Sequence, residues 1–209
     1  MNPKQIVADG YDKVSYQYRG DNGDAPNDYG GWLVELSSLL PKQSPVLDLG
    51  CGCGLPVSKV LAESFHVTGV DISPVQIERA KLLVPTARFI QADMSAVNFD
   101  AGSFMAVVSF FAIIHLPLDE QPALISRLTQ WIRPGGYFLA TLGHGQWTGT
   151  ENDWLDVPGA TMYWSHTDAE TYRTWLTQTG FTLLWNRFVP EGKGGHLLIL
   201  ARLGNSNVP

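Results

Sequence analysis

The stretch Val46-Leu47-Asp48-Leu49-Gly50-Cys51-Gly52-Cys53-Gly54 restricts what this chain can fold into more than any other. An apolar run that ends beside an acid and is followed by glycines at alternate positions reads as a buried parallel strand entering a tight loop. The loop has to pass close under a ligand, since residues without a side chain leave room there. A helix-sized interval later, Val67-Thr68-Gly69-Val70-Asp71 gives a second apolar strand ending in a carboxylate. Strand, helix and strand at that spacing bring the second acid beside the first loop, where it can accept hydrogen bonds from two ribose hydroxyls. The two stretches together predict a nucleotide-type site.

The glycine spacing narrows the nucleotide. A dinucleotide fingerprint is GxGxxG, whose last glycine lets a helix end approach a pyrophosphate. Here the spacing is GxGxG, and Leu55 stands where the third glycine is wanted. Asp48, just before the loop, repels phosphates and attracts an amine. No lysine follows the glycines, so the phosphate-cradling loop of nucleoside triphosphatases is missing too. In Asp48 to Gly54 and in Asp71 the chain resembles class I S-adenosylmethionine-dependent methyltransferases, over roughly residues 44 to 142. The resemblance implies S-adenosyl-L-methionine as cofactor and S-adenosyl-L-homocysteine as product. It implies that Gly50, Gly52 and Gly54 approach the methionine part, that Asp71 holds the ribose, and that Asp93 and Met94 meet the adenine. Asp48 would support the loop or, through ordered water, the cofactor amine. A Tyr-Asp segment before the main fold closes over the cofactor in related enzymes, which brings in Tyr11 and Tyr18. Ile72, Gln76 and Ser109, beside the motifs, complete the expected cofactor set.

The remaining elements follow from periodicity and punctuation. Residues 1–43 are expected to form an N-terminal helical cover: Tyr11 to Tyr18 is either a short helix or an extended segment, and Asp24 to Asn27 reads as a turn. Trp32, Leu33, Leu36, Leu39 and Leu40 share helical spacing ahead of Pro41. Val46 to Leu49, His66 to Val70, Arg88 to Gln91, Met105 to Ser109 and Tyr137 to Leu142 read as strands. Between them lie a helix from Pro56 to about Ser64 carrying Val57, Val60 and Leu61, and one capped by Ser73 with Val75, Ile77, Ala80, Leu82 and Leu83 apolar. A third spans Leu118 to Ile132 and ends at Arg133-Pro134-Gly135-Gly136. Thr167 with Glu170 three residues on is a helix-start signal. Phe181 to Phe188 and His196 to Leu203 form an antiparallel hairpin around Gly192 to Gly195. The expected fold is α/β, one doubly wound domain over residues 1–209. The resemblance adds a mostly parallel seven-stranded sheet with a C-terminal antiparallel strand and helices on both faces.

Acceptor choice is expected in residues 143–166, an aromatic insertion on the ligand side of the sheet. Trp147, Trp154, Tyr163 and Trp164 form an apolar slot there, stack on a planar substrate, or simply pack the insertion onto the core. His115, after the fourth strand, and His144 and His166 are the candidate general bases, since histidine titrates near neutrality. An Asn-Pro-Pro-Tyr type of sequence, the pattern associated with methylation of some planar nitrogen groups, is absent after the fourth strand, where Ser109-Phe110-Phe111-Ala112 stands. A small-molecule oxygen, nitrogen or sulfur acceptor is the expectation. A nicotinamide oxidoreductase and a non-catalytic cofactor-binding protein are the alternatives.

Composition excludes some partners. Lys and Arg number 14 against 20 Asp and Glu, for a net charge of -6 with no basic run. That argues against unaided nucleic-acid binding, which depends on phosphate neutralisation. No apolar stretch is long enough for a membrane partner, and the start lacks a secretory pattern, so a cytoplasmic location is expected. Cys51 and Cys53 are the only cysteines; they stand too close for an unstrained disulfide, and no further ligand cluster supports a metal. The oligomeric state is not legible.

Overall fold

A computed structural model describes residues 2–22, 28–192 and 194–205, so the turn expected at Asp24 to Asn27 lies outside the described residues. The chain opens on a helix rather than an extended segment. Pro3 sits in the first turn of α1 (Pro3–Tyr18), and Asn2 accepts the Lys4 N–H at 3.0 Å. The second helix, α2 (Tyr29–Leu39), is capped by Asp28 and buries Trp32, Leu33 and Leu36. Alternation of strand and helix follows: β1 (Pro45–Leu49), α3 (Val57–Ala62), β2 (His66–Asp71), α4 (Pro74–Leu83) and β3 (Arg88–Gln91). β4 (Phe104–Ser109), α5 (Gln121–Trp131) and β5 (Ile132–Gly143) complete the parallel part.

Seven strands form one sheet in the order β3-β2-β1-β4-β5-β9-β8, where β8 is Phe181–Glu191 and β9 is Gly194–Leu203. Only β9 runs against the others, pairing antiparallel with both β5 and β8. Successive residues feed opposite faces, as a strand period of two requires. Leu47, Val107, Phe138 and Ile199 enter the core layer containing Trp131. Their neighbours Val46, Val108, Leu139 and Leu200 enter the layer under Leu33 and Leu36 of α2. Both faces are covered, which explains the nearly unbroken apolar runs of the central strands. From β1 the chain winds outward through β2 and β3, then returns to β4 on the other side of β1. The crevice at the carboxyl ends of β1 and β4 is therefore the switch point where open α/β sheets bind ligands.

Four local expectations need correction. Residues 143–166 are not a loop: β6 (Trp147–Glu151) and β7 (Met162–His166) pair as a separate antiparallel hairpin. A lone hairpin has little stability of its own. This one is fastened by Lys13 Nζ donating to the Gly159 carbonyl at 2.6 Å and by Gln121 Nε2 donating to the Ser165 carbonyl at 2.6 Å. The next helix, α6 (Ala169–Gln178), is capped by Asp168, whose carboxylate accepts the Thr171 N–H at 2.9 Å, whereas Thr167 is buried beside it. Val60 and Leu82 fall off the inward stripes of their helices and are exposed, at 38% and 81%. Finally, β5 begins at Ile132, and the Pro-Gly-Gly segment is an irregularity between Phe104 and Ala106 pairing, with Gly135 at φ 80°.

Candidate active site

The glycine loop leaves β1 with Gly50, Gly52 and Gly54 all at positive φ, but a side chain would meet different surroundings at each. Gly50 and Cys51 donate to the Val70 carbonyl at 2.7 and 3.0 Å, which folds the loop back over β2. A side chain on Gly50 would put its Cβ 2.1 Å from that of Ala112, and φ is 83°. Gly52, at φ 54°, faces open space, so its backbone is presented to whatever lies in the crevice. Gly54 serves a different purpose: a Cβ there would meet Val84 and Phe89 at 3.1 and 3.2 Å, so it permits packing against α4 and β3 and does not line the crevice.

Three acids surround this loop. Asp71 Oδ2 accepts the Gly52 N–H at 2.8 Å and Oδ1 the Ser73 N–H at 2.9 Å, leaving lone pairs on both oxygens. Burial pushes its carboxyl up to about 6 despite those bonds. Asp48 is buried and, among the described residues, accepts only from Ser58 Oγ, at 2.6 Å; burial pushes it up to about 7. Asp93 is opposed by burial too, but Lys4 Nζ at 2.8 Å and the Ser95 N–H and hydroxyl hold it below the usual carboxylate range.

Helix α1 closes the crevice from above. Lys4, Val7, Tyr11 and Tyr18 line a cleft whose floor holds Gly50, Gly52, Asp71, Ile72, Asp93 and Met94. Arg79, buried on α4, fastens the helix by donating to the Ser15 and Arg19 carbonyls, each at 2.7 Å. Asp12 accepts from Ser73 Oγ at 2.5 Å. At one end a recess is lined by the Arg19 guanidinium, which stands 5.2 Å from the Tyr18 ring, and by Asp48.

Beside the cleft, under the β6–β7 hairpin, lies a larger chamber of about 680 Å³. Tyr11, Tyr18, Phe111 and His115 line both spaces, so the two adjoin there. Phe111 is held at φ 54°, a strained conformation for a bulky residue, with its N–H donating to Thr141 Oγ1 at 2.5 Å. His115 is buried; its Nδ1 lies 2.7 Å from the Tyr163 carbonyl and its Nε2 2.9 Å from Tyr11 Oη. A carbonyl only accepts, so Nδ1 carries the proton and Tyr11 donates to Nε2. Burial lowers this imidazole to about 4, which keeps it neutral. The Trp154, Trp164 and Trp147 rings follow in a chain, with centroids 5.5 and 5.7 Å apart.

The sequence-derived site divides accordingly. Tyr11, Tyr18, Gly50, Gly52, Asp71, Ile72, Asp93 and Met94 meet in the cleft, with Asp48 in its recess. Gln76 and Ser109 do not. Gln76 is buried and accepts from Ser15 Oγ, docking α1, while Ser109 Oγ donates to the Leu49 carbonyl and staples β4 to β1. Trp147, Trp154, Trp164, His144 and His166 line the chamber, but Tyr163 contributes only its carbonyl because adjacent strand residues point oppositely. His144 is exposed with its ring 4.6 Å from that of Phe188, and His166 Nδ1 donates to the Gly145 carbonyl at 2.5 Å. Sequence reasoning missed Lys4, Arg19, Phe111, Glu191 and His196. Only the motif-adjacent position of Phe111 signalled any of them.

Comparison with known proteins is consistent with this geometry. A family described as "Methyltransferase domain" matches residues 46–136. The chain is 27% identical to an uncharacterised methyltransferase of Synechocystis over 84% of its own length and 82% of that protein's. It is 41% identical to the 2-methyl-6-phytyl-1,4-hydroquinone methyltransferase of Synechocystis, over 48% of this chain and 32% of that protein, so it spans about a third of that relative. The crystal structure of Synechocystis magnesium protoporphyrin IX methyltransferase with bound S-adenosylmethionine superposes with TM-score 0.71 at 17% identity, covering 98% of each chain.

Proposed function

We propose, from the class I S-adenosylmethionine-dependent methyltransferase fold that this chain has, that it methylates an oxygen, nitrogen or sulfur atom of a small molecule held in the aromatic chamber. The observation that carries this reading is the shared lining: Tyr11, Tyr18, Phe111 and His115 border both the cleft and the chamber, so a ligand in one adjoins a ligand in the other. Proximity and alignment supply much of the rate in such a transfer. When bound, S-adenosylmethionine supplies a methyl group already activated by a sulfonium centre.

The residues present fit that cofactor. Open space above Gly52 leaves a cradle for its chain, and the lone pairs remaining on Asp71 suit two ribose hydroxyls. Arg19 and Asp48 are matched to the carboxylate and ammonium of an amino-acid tail. Asp93 and Met94 would take the adenine edge and face. A dinucleotide reading gains nothing here, because Leu55 is buried where the third glycine would be needed.

Neutral His115, its lone pair already taken by the Tyr11 hydroxyl, orients that hydroxyl where cleft and chamber adjoin; it is not placed to accept a substrate proton. The tryptophans of the hairpin would hold an apolar, planar acceptor. The hydroquinone and porphyrin in the names of two relatives support an aromatic acceptor of that kind. Incubation with methyl-labelled S-adenosylmethionine and a panel of phenols, heteroaryl amines and thiols tests the activity. Label in a panel product is the expected result, and none with folded, cofactor-bound protein would overturn it. For an acceptor so found, Trp164→Ala should raise KM roughly tenfold through lost aromatic contact while the Kd for S-adenosylhomocysteine stays within about threefold. Equal losses for both ligands would make Trp164 a packing residue.

A further inference from the structure

Helix α1 roofs the cofactor cleft, yet no basic side chain stands in its own last turn to meet the carbonyls left over at a helix end. The charge comes from α4 instead. The Arg79 guanidinium donates through Nη1 to the Ser15 carbonyl and to Ser15 Oγ, both at 2.7 Å. Through Nη2 it donates to the Arg19 carbonyl at 2.7 Å and to Asp21 Oδ1 at 2.6 Å. Tyr16 closes over it, with its ring centroid 4.0 Å from the guanidinium carbon. These contacts all lie between Ser15 and Asp21, in the end of α1 and the residues just past it. Arg79 is 4% exposed, and its Nε finds no partner among the described residues. A buried guanidinium with an unpartnered N–H is a poor source of stability, because desolvation offsets much of what its bonds return. Its use lies in where it puts the chain.

Arg19, whose carbonyl Arg79 holds, carries its own guanidinium to the Tyr18 and Tyr29 rings, 5.2 and 5.7 Å from their centroids, and lines the recess together with Asp48. Arg79 itself lines neither the cleft nor the recess. The helix it stands on begins at Ser73, whose Oγ donates to Asp12 of α1 and whose N–H donates to Asp71. One helix therefore fixes the ribose acid at its start and the end of α1 further along. We propose that Arg79 is a positioning residue for the amino-acid tail of the cofactor: it holds the end of α1 so that Arg19 meets the tail carboxylate, and it touches no ligand. This rests on the methyl-transfer reading above, which puts that tail in the recess.

S-adenosylhomocysteine and 5′-methylthioadenosine share adenine, ribose and thioether and differ in the amino-acid tail, so together they separate the recess from the rest of the cleft. Arg79→Met should weaken S-adenosylhomocysteine about 20-fold and methylthioadenosine by no more than about twofold, since a charge-assisted bond to the tail is what is lost. Arg79→Lys keeps the charge without the fork that spans two carbonyls, and should show the same split at about fivefold. In an Arg19→Gln background, Arg79→Met should cost S-adenosylhomocysteine less than about threefold more, because the guanidinium it positions is already gone. Melting curves identify the folded variants, and the lysine variant carries the test if the methionine one does not fold. Equal losses of both ligands in a folded variant would overturn the proposal, as would unchanged affinity for S-adenosylhomocysteine or full additivity with Arg19→Gln. Wild-type protein that does not bind S-adenosylhomocysteine at all would remove the methyl-transfer reading itself, and the proposal with it.

Discussion

Asp71→Ala is expected to lower affinity for S-adenosylhomocysteine on the order of 100-fold, with the protein still folded. Hydrogen bonds to a charged acceptor contribute roughly 1.5–3 kcal/mol each, and two ribose hydroxyls are to be held. Part of the loss comes from the loop, since the same carboxylate accepts the Gly52 and Ser73 N–H groups. Asp71→Asn keeps some of that support and should fall between alanine and wild type. The wild-type carboxyl is raised to about 6 by burial, so affinity should decline as pH falls through that value and the charged form is lost. The alanine variant should show no such decline. Calorimetry at three pH values, with a melting curve as the folding control, decides it; unchanged affinity in a folded variant would reject the ribose role.

The second large effect is on stability. Asp48 is 2% exposed and, among the described residues, accepts a single hydrogen bond, from Ser58, so its charge is poorly compensated. The difference between its ordinary 3.8 and about 7 corresponds to a cost of roughly 4 kcal/mol to the folded state. The sign follows from proton counting. Between these values the folded protein keeps a proton that the unfolded chain has lost, so stability falls as pH rises, and above about 7 the full cost is present. Asp48→Asn keeps an acceptor for Ser58 without the charge. Its stability advantage over wild type should widen by roughly 2.6 kcal/mol from pH 5 to pH 8 in urea denaturation. A gap that does not change with pH would show that Asp48 is compensated by a contact other than Ser58.

The parts of the fold legible in the sequence are those where one residue type has one physical use. Apolar runs in β1, β4 and β5 report strands buried on both faces, Ser73 before Pro74 reports a helix start, and the spaced glycines report the loop. The cleft's acids were legible because each ends a strand or follows one directly. The β6–β7 hairpin was not: Trp147-Thr148-Gly149-Thr150-Glu151 has the composition of a loop, and its pairing with Met162–His166 depends on fastening by α1 and Gln121. Gln76 and Ser109 stand beside the motifs in sequence, yet strand and helix direction turn them into the packing. Lys4 meets Asp93, and Arg19 meets the glycine-loop recess, only because α1 lies across the crevice. His196 and Glu191 read as hairpin-turn neighbours. Their place in the chamber lining comes from the pairing of β9 with β5, which sets Gly143 opposite His196 at the ligand end of the sheet.

Calorimetric titration of the purified chain with S-adenosylmethionine and S-adenosylhomocysteine, beside a nicotinamide dinucleotide control, tests the central claim most directly. Saturable, near one-to-one binding of both sulfur ligands and none of the dinucleotide is the predicted result. Folded protein that ignores both sulfur ligands, or takes the dinucleotide in their place, would contradict it.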